Sequence, residues 1–343
     1  MKGTERMKAI SAIEPGKVSM IEVPRPEAGP TSAIIRVHAC GICGSDVHIK
    51  HGKNPYAVYP RILGHEVSGV VVEVGGNVKG FKVGDRVVVE PINSCGECYP
   101  CRVGRRNVCE HLQVYGCHVD GGFAEYMRVE EAALHHLPDE ISFLQGALIE
   151  PYTIGENAVR RVGVLSGDIC LVHGAGPIGL IAADLCKSRG AFVLVSEPSA
   201  ERREMAKKFG ADVVIDPIHE DLETVVRGCS GGFGANVIFD AVGIPALVEA
   251  SIPLLSAAGR FLEFGYGFGN AAINFDLVNK RELYITGTRH QRFCFEPVIA
   301  EFTARLDKAD MLRTHTYAAD EFEQAFAMFE DKNSGACKVV LTF

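Results

Sequence analysis

A two-domain α/β architecture, in which a barrel-like β domain is interrupted by a doubly wound parallel-sheet domain, is predicted by three features of this chain. The first is length: 343 residues exceed what one hydrophobic core usually organises. The second is a change of rhythm. Residues 8 to 90 run as short β-branched segments broken by Gly and Pro, such as Ala33-Ile34-Ile35-Arg36-Val37 and Gly69 to Gly76, the signature of a barrel-like β domain. From about 166 to 285, apolar strands of four to six residues alternate with helical stretches, the pattern of parallel βαβ units. The third is the last fifty residues, where a helical pattern around Asp320 to Glu330 and a closing strand Lys338 to Phe343 leave that alternation and return to the first domain. The expected boundaries are 1–156 with 290–343 for the β domain and 157–289 for the α/β domain. No internal repeat, low-complexity tract or long linker is present.

Composition narrows the partners. A net charge of -8 with no basic run argues against nucleic acid or an anionic membrane surface and for a small-molecule substrate. The start, Met1 to Arg6, has no apolar signal core, and no apolar run reaches the roughly 18 residues of a membrane span; a cytoplasmic location is expected. Twelve cysteines in such a compartment are read as metal ligands where clustered and as small buried apolar residues where scattered.

The α/β segment carries a dinucleotide fingerprint. The strand Ile169 to His173 runs into Gly174-Ala175-Gly176-Pro177-Ile178-Gly179, followed by an apolar helix from Leu180 to Lys187. Glycines here permit the tight turn, the approach of backbone to pyrophosphate and close helix packing, and the helix N-terminus offers free N–H groups to phosphate. A second strand, Phe192 to Ser196, ends at Glu197, where a carboxylate would accept the adenosine ribose hydroxyls and repel a 2′-phosphate. NAD is therefore expected over NADP, with nearby Arg202 and Arg203 as the contrary indication.

Cys95, Cys98, Cys101 and Cys109 place four thiols within fifteen residues, a spacing suited to a closed tetrahedral zinc that ties down a loop, about 91–112, with little core of its own. An iron–sulfur cluster is the alternative, but its bacterial form continues with three residues and then Cys-Pro, whereas Cys109 follows Cys101 after seven and precedes Glu110. A closed Cys₄ site has no open position, so its role is structural. A second, open site needs other ligands: Cys43 supplies a thiolate, His65 an imidazole and Glu66 a carboxylate, with Glu150 a second candidate carboxylate. Each of these taken singly reads as a buried thiol, a core histidine or a surface charge; together with the other motifs they read as a catalytic metal site.

The motifs Cys43-Gly44-Ser45-Asp46-Val47-His48, Gly64-His65-Glu66, the four-cysteine lobe, Glu150-Pro151 and Gly174 to Gly179 resemble the zinc-containing medium-chain dehydrogenase/reductase superfamily over nearly the whole chain, and within it the polyol branch of sorbitol, threonine and sugar-acid 5-dehydrogenases. The resemblance implies a GroES-like catalytic domain interrupted by a Rossmann domain, and two zinc ions per chain. It implies Cys43 rather than Cys40 as ligand, His65 as the second, and Glu66 and Glu150 as carboxylates that reach the metal directly or through water. Asp46 would hold a ligand histidine's other nitrogen.

The implied activity is hydride transfer from a metal-acidified secondary alcohol to NAD⁺, with Ser45 passing the alcohol proton through the cofactor ribose toward His48. In sorbitol-type relatives the stretch after the last Rossmann strand lines the substrate site; here it reads Thr288-Arg289-His290-Gln291-Arg292-Phe293. Arginine binds carboxylates bidentately, so a sugar acid stands beside a neutral polyol as substrate. Arg289 has a second reading as a contact to the nicotinamide end, and Arg292 as a solvated charge. The alternatives are a threonine or simple-alcohol dehydrogenase of the same superfamily, a zinc-free quinone reductase, and a non-catalytic NAD-binding regulatory protein. A homodimer or homotetramer is expected.

Overall fold

Strand pairing in the first part of the chain is organised around one long strand, Ser32–Ile42. The structure, a computed structural model, describes residues 5–265 and 269–343; of the start expected to lack a leader, Met1–Thr4 lies outside them. The chain divides into two compact units, Met1–Glu150 with Phe295–Phe343, and Pro151–Cys294.

In the first unit, the β-branched and alanine-rich Ser32–Ile42 is buried along most of its length, which both of its edges and both of its faces allow because each is covered. One edge pairs antiparallel with Glu66–Val74, setting Gly41 opposite Glu66. The other edge is shared: Tyr126–Glu130 pairs with Ser32–Arg36, and Lys338–Thr342 pairs with Ala39–Ile42. The order across the sheet is Leu134–His136, Arg86–Val89, Glu66–Val74, Ser32–Ile42, Lys338–Thr342, Arg313–Ala318. A three-stranded sheet of Lys17–Pro24, Arg6–Glu14 and Arg61–Ile62 packs with it over a shared core that includes Ile10, Ile35, Val37, Val67, Phe123 and Phe326. A small ribbon, Ile92–Asn93 with Gln113–Val114, closes the base of the loop that carries the four clustered cysteines.

The second unit is the expected α/β domain: six parallel strands in the order Val213–Ile215, Phe192–Ser196, Ile169–His173, Ala235–Asp240, Leu255–Glu263, Tyr284–Gly287. The strand order reverses between Ile169–His173 and Ala235–Asp240. In a doubly wound sheet, ligands bind at the carboxyl ends of the strands beside such a reversal. Leu171, Leu194, Ile238 and Phe261 fill the sheet's interior from neighbouring strands, the continuous apolar runs that a sheet covered on both faces requires.

Two carboxyl groups meet at those carboxyl ends. Asp240 is fully buried and accepts from the backbone N–H of Val242 at 2.8 Å and Gly243 at 3.2 Å. On the adjacent strand, burial and then the Asp240 charge push Glu263 up to about 7. A carboxyl whose folded pKa is raised favours its neutral form in the fold, so its contribution is intact below the ordinary value of 4.5 and is lost as pH rises toward 7. Glu263→Gln should remove that loss: between pH 5 and pH 8 the urea midpoint of the variant should fall less than that of the wild type. Parallel midpoints in the two proteins would contradict the assignment.

Candidate active site and metal centres

Directly opposed residues in a sheet share a face, and so do residues two apart on one strand. Glu66 and Val340 both stand opposite Gly41, so Gly41, Glu66 and Lys338 line one face, and the next residue on that face beyond Gly41 is Cys43. Cys40, one residue out of phase, turns the other way into the core and is fully buried. A Cβ at Gly41 would lie 2.0 Å from Glu66 Oε2; glycine is what leaves the carboxylate room.

The helix Gly44–Lys50 begins immediately after Cys43 and brings Asp46 back under it. The buried Asp46 carboxylate accepts from the N–H of Cys43 at 2.9 Å and of Gly64 at 3.2 Å. It therefore ties together the two segments that carry Cys43 and His65. Gly64 has φ 89°, and a Cβ there would meet the Phe123 ring at 2.4 Å. His65 Nδ1 lies 3.6 Å from Asp46 Oδ1, and its Nε2 lies 3.5 Å from Ser45 Oγ. Burial works to lower the His65 pKa, but the negative charges of Asp46 and Cys43 outweigh it and hold it well above 6.5.

Candidate ligand atoms of Cys43, His65 and Glu66 all fall within 4.8 Å of one another. Glu66 is 1% exposed. Its Oε1 accepts from Lys338 Nζ at 2.5 Å, whereas its Oε2 is buried with no hydrogen-bond partner. An orphaned carboxylate oxygen beside a thiol and an imidazole is costly unless something cationic completes it, and an S/N/O donor set of this kind suits zinc. The residues fit an open zinc site. Glu150, in the first turn of the helix Ile149–Val162, stands outside this group of three; it is buried, and burial, eased by the positive charge of His65 but aggravated by Glu66, pushes it up to about 7. Lys338, 3% exposed, donates also to the Ile42 carbonyl at 3.2 Å. It was not foreseen, and the only trace of it in the sequence is a lone lysine opening an otherwise apolar strand.

His48 lies five residues past Cys43, half-buried. Burial, then Lys53 and His51, lower it below 6.5, so it is a neutral imidazole at pH 7.

In the cysteine lobe the sulfurs converge: Cys98 to Cys101 is 3.4 Å, Cys98 to Cys109 is 3.7 Å and Cys109 to Cys95 is 3.4 Å. Four thiolates bonded tetrahedrally to zinc at about 2.3 Å would be about 3.8 Å apart, so the donors fit zinc nearly without movement. Backbone N–H groups of Cys95 and His111 point at Cys109 Sγ, each at 3.3 Å, and partly offset the burial that pushes this thiol up.

In the second unit Gly174 adopts φ 87°, and a Cβ on Gly179 would lie 1.9 Å from the Gly174 carbonyl oxygen; these two positions need glycine. Gly176 caps the helix Pro177–Ser188, with Pro177 and Ile178 in its first turn. Glu197 is 5% exposed, its carboxylate held by the N–H of Ala175 at 2.8 Å and of Ser199 at 2.9 Å. Of the two arginines nearby, Arg203 is committed to Asp216 at 3.0 Å and to the Glu197 and Pro198 carbonyls, while Arg202 sits in the first turn of the helix Ala200–Lys208.

The loop after the last strand is shaped from within. Asn157 Nδ2 donates to Thr288 Oγ1 at 2.9 Å and the His290 carbonyl at 3.1 Å. His290 and Phe293 both have left-handed backbone, φ 49° and 53°. Gln291 is 1% exposed, and its Oε1 accepts from the Cys294 N–H at 2.8 Å, which braces the loop. Arg289 is half-buried and Arg292 exposed.

Comparison with known proteins bears on both units. Residues 29–139 match the family described as alcohol dehydrogenase GroES-like domain, and residues 177–307 match zinc-binding dehydrogenase. The starvation-sensing protein RspB of Escherichia coli K12 is 36% identical over 98% of this chain and 99% of its own. The chain belongs to the zinc-containing medium-chain dehydrogenase superfamily. Among its other relatives in this superfamily are a sorbitol dehydrogenase of Halalkalibacterium halodurans, 35% identical over 95% of this chain and 96% of that one, and the L-galactonate-5-dehydrogenase of E. coli, 36% identical over 94% of each. Among solved structures, one described as a short chain alcohol dehydrogenase (rspB) of E. coli CFT073 complexed with NADH superposes with a TM-score of 0.94, at 36% identity over 99% of this chain and 100% of that one. A zinc-binding dehydrogenase from Sinorhizobium meliloti bound to NADP gives 0.93, at 30% identity over 99% and 100%. The protein is thus an NAD(P)-dependent oxidoreductase of the zinc alcohol/polyol dehydrogenase type. No helix among the described residues is long and apolar enough to cross a membrane.

Gly41→Ala tests the geometry of the open site in this dehydrogenase. The added Cβ displaces the Glu66 carboxylate, so metal analysis should find the cysteine-lobe metal retained and the second metal reduced at least tenfold in affinity; undiminished binding of both would show that Glu66 needs no such clearance.

Proposed function

We propose that the protein oxidises a secondary alcohol of a polyol or sugar acid with NAD⁺ as hydride acceptor. It uses one zinc at Cys43, His65 and Glu66, with Glu150 as the neighbouring carboxylate, and one structural zinc at Cys95, Cys98, Cys101 and Cys109. The observation that carries this reading is the buried Glu66 carboxylate, which leaves Oε2 without a hydrogen-bond partner and sets a ligand oxygen within 4.8 Å of the ligand atoms of Cys43 and His65. Zinc held there supplies a Lewis acid that lowers the pKa of an alcohol.

The chain's own residues do the rest. Asp46 orients the His65 ring through Nδ1 and fixes the backbone of Cys43 and Gly64, the arrangement that sets tautomer and basicity of a ligand histidine. Ser45, whose hydroxyl lies against His65 Nε2, is placed to take the alcohol proton. His48, neutral at pH 7, accepts it for release to solvent. In the other unit the turn Gly174–Gly179 and the N-terminus of the helix Pro177–Ser188 cradle pyrophosphate. Glu197 favours the unphosphorylated ribose, and the Arg203–Asp216 pair leaves Arg203 engaged elsewhere. Both features support NAD over NADP.

The substrate class rests on Arg289 and Arg292 in the loop that Asn157 and Gln291 shape, and on polyol and sugar-acid dehydrogenases among the relatives. The open strand Tyr284–Gly287 at the sheet edge supports assembly as a homodimer or homotetramer.

The test is metal content by plasma mass spectrometry on protein purified without chelator, paired with NAD and NADP reduction across sorbitol, xylitol, inositol, threonine, galactonate, gulonate and idonate. Near two zincs per chain, with turnover on a polyol or sugar acid and NAD preferred, is expected. Turnover on threonine alone would move the substrate to the amino-alcohol class, and one zinc or none in folded protein would remove the catalytic site. Separately, His48→Gln should lower turnover at pH 7 by about a hundredfold, with recovery at high pH or with added imidazole; a pH profile matching the wild type would exclude His48 from the proton path.

A further inference from the structure

Lys338 is the one lysine buried to this degree among the described residues, and it comes from the last strand of the chain, 272 residues beyond its partner Glu66. A buried ammonium costs several kcal/mol in desolvation unless paired and hydrogen-bonded, so its position is constrained by what it touches. Its two contacts are Glu66 Oε1 at 2.5 Å and the Ile42 carbonyl at 3.2 Å. The second belongs to the residue immediately before Cys43. One ammonium therefore grips both segments that carry anionic donors of the proposed zinc site.

We propose that Lys338 is a positioning residue: by occupying Glu66 Oε1 it leaves Oε2 as the oxygen available to a metal shared with Cys43 and His65, fixing Glu66 as a one-oxygen ligand and locking its carboxylate to the backbone before Cys43. The inference rests on the zinc reading above and goes beyond it. Three features of the sheet support it. Gly41, between the two strands, has no side chain to separate Lys338 from Glu66, and any Cβ there would collide with Oε2 rather than with Oε1. The strand Lys338–Thr342 pairs with Ala39–Ile42 up to Val339 opposite Ile42, so the lysine enters the site at the register where Cys43 follows. And Glu66 divides sharply, one oxygen engaged and the other buried with no partner. A carboxylate free to rotate could offer both oxygens to a metal; this one cannot without giving up the lysine.

The test measures metal rather than turnover. Wild type, Lys338→Met, Lys338→Arg, Glu66→Gln and the Glu66→Gln/Lys338→Met double variant are purified as full-length protein, loaded with zinc, and challenged with a chelator. Cobalt-substituted samples report the coordination sphere through their visible absorption bands. Lys338→Met should release the more labile zinc ten- to a hundredfold faster, the usual cost of losing an outer partner of a ligand, with altered cobalt bands and an unchanged cysteine-lobe zinc. Lys338→Arg, which keeps the charge, should stay near the wild type in release rate. In the Glu66→Gln background the methionine substitution should add little, because its effect passes through Glu66. Wild-type release and spectra in Lys338→Met, or the same loss with and without Glu66, would overturn the proposal. If Lys338→Met fails to fold, the arginine variant decides: charge retained with release and spectra like wild type supports the role, and tenfold faster release overturns it. A wild-type protein that holds one zinc only defeats the functional reading itself, an outcome distinct from either.

Discussion

Glu66 and Lys338 can meet inside the first unit only because Gly41, on the strand between them, has no side chain, and the surrounding geometry follows from that contact. A buried ion pair is a weak source of net stability, since desolvation of both charges offsets most of their attraction. Its value lies in specificity. With Lys338 on one oxygen, the other is aimed; with Asp46 bridging the N–H groups of Cys43 and Gly64, the thiol and the imidazole are aimed as well. Three donors from two separate stretches of chain thus acquire a common focus from charged groups that are themselves buried.

The two proposed zinc sites contrast in how they are built. In the cysteine lobe all four donors come from one short loop, closed at its base by a two-stranded ribbon, and their sulfurs already stand close to tetrahedral spacing. In the open site the donors come from Cys43 and the Gly64–Glu66 segment, and the supporting charges from a helix turn and the final strand. A closed local loop gains its order from the ion, whereas the open site is ordered beforehand by the barrel.

What could be read from sequence divides along the same line. The glycine turn before the helix Pro177–Ser188, the acidic end of the strand Phe192–Ser196 and the four-cysteine spacing are local patterns, and each element's type was legible. The barrel unit and the parallel sheet were legible too, from the change of hydrophobic period. Lys338 and Gly41 were not, because their significance depends on which strands become neighbours, and strand pairing across nearly three hundred residues leaves no local mark. Gln291 adds a contact no local pattern announces: in the loop where His290 and Phe293 are left-handed, its side chain accepts from the Cys294 N–H. Likewise the caution raised by Arg202 and Arg203 halves once Asp216, thirteen residues on from Arg203, is seen to hold Arg203.

The strand Lys338–Thr342 follows Ser32–Ile42 in sequence only after the whole second unit, yet it completes the edge of that strand next to Cys43. During synthesis on the ribosome, Cys43, His65 and Glu66 emerge long before this strand, and the whole second unit must be made in between. Until Lys338–Thr342 has been made, the barrel has an open seam at the place where the lysine will enter. Completion of the open metal site therefore waits for this distant strand, while the cysteine lobe has all of its donors and both strands of its ribbon in place by residue 114.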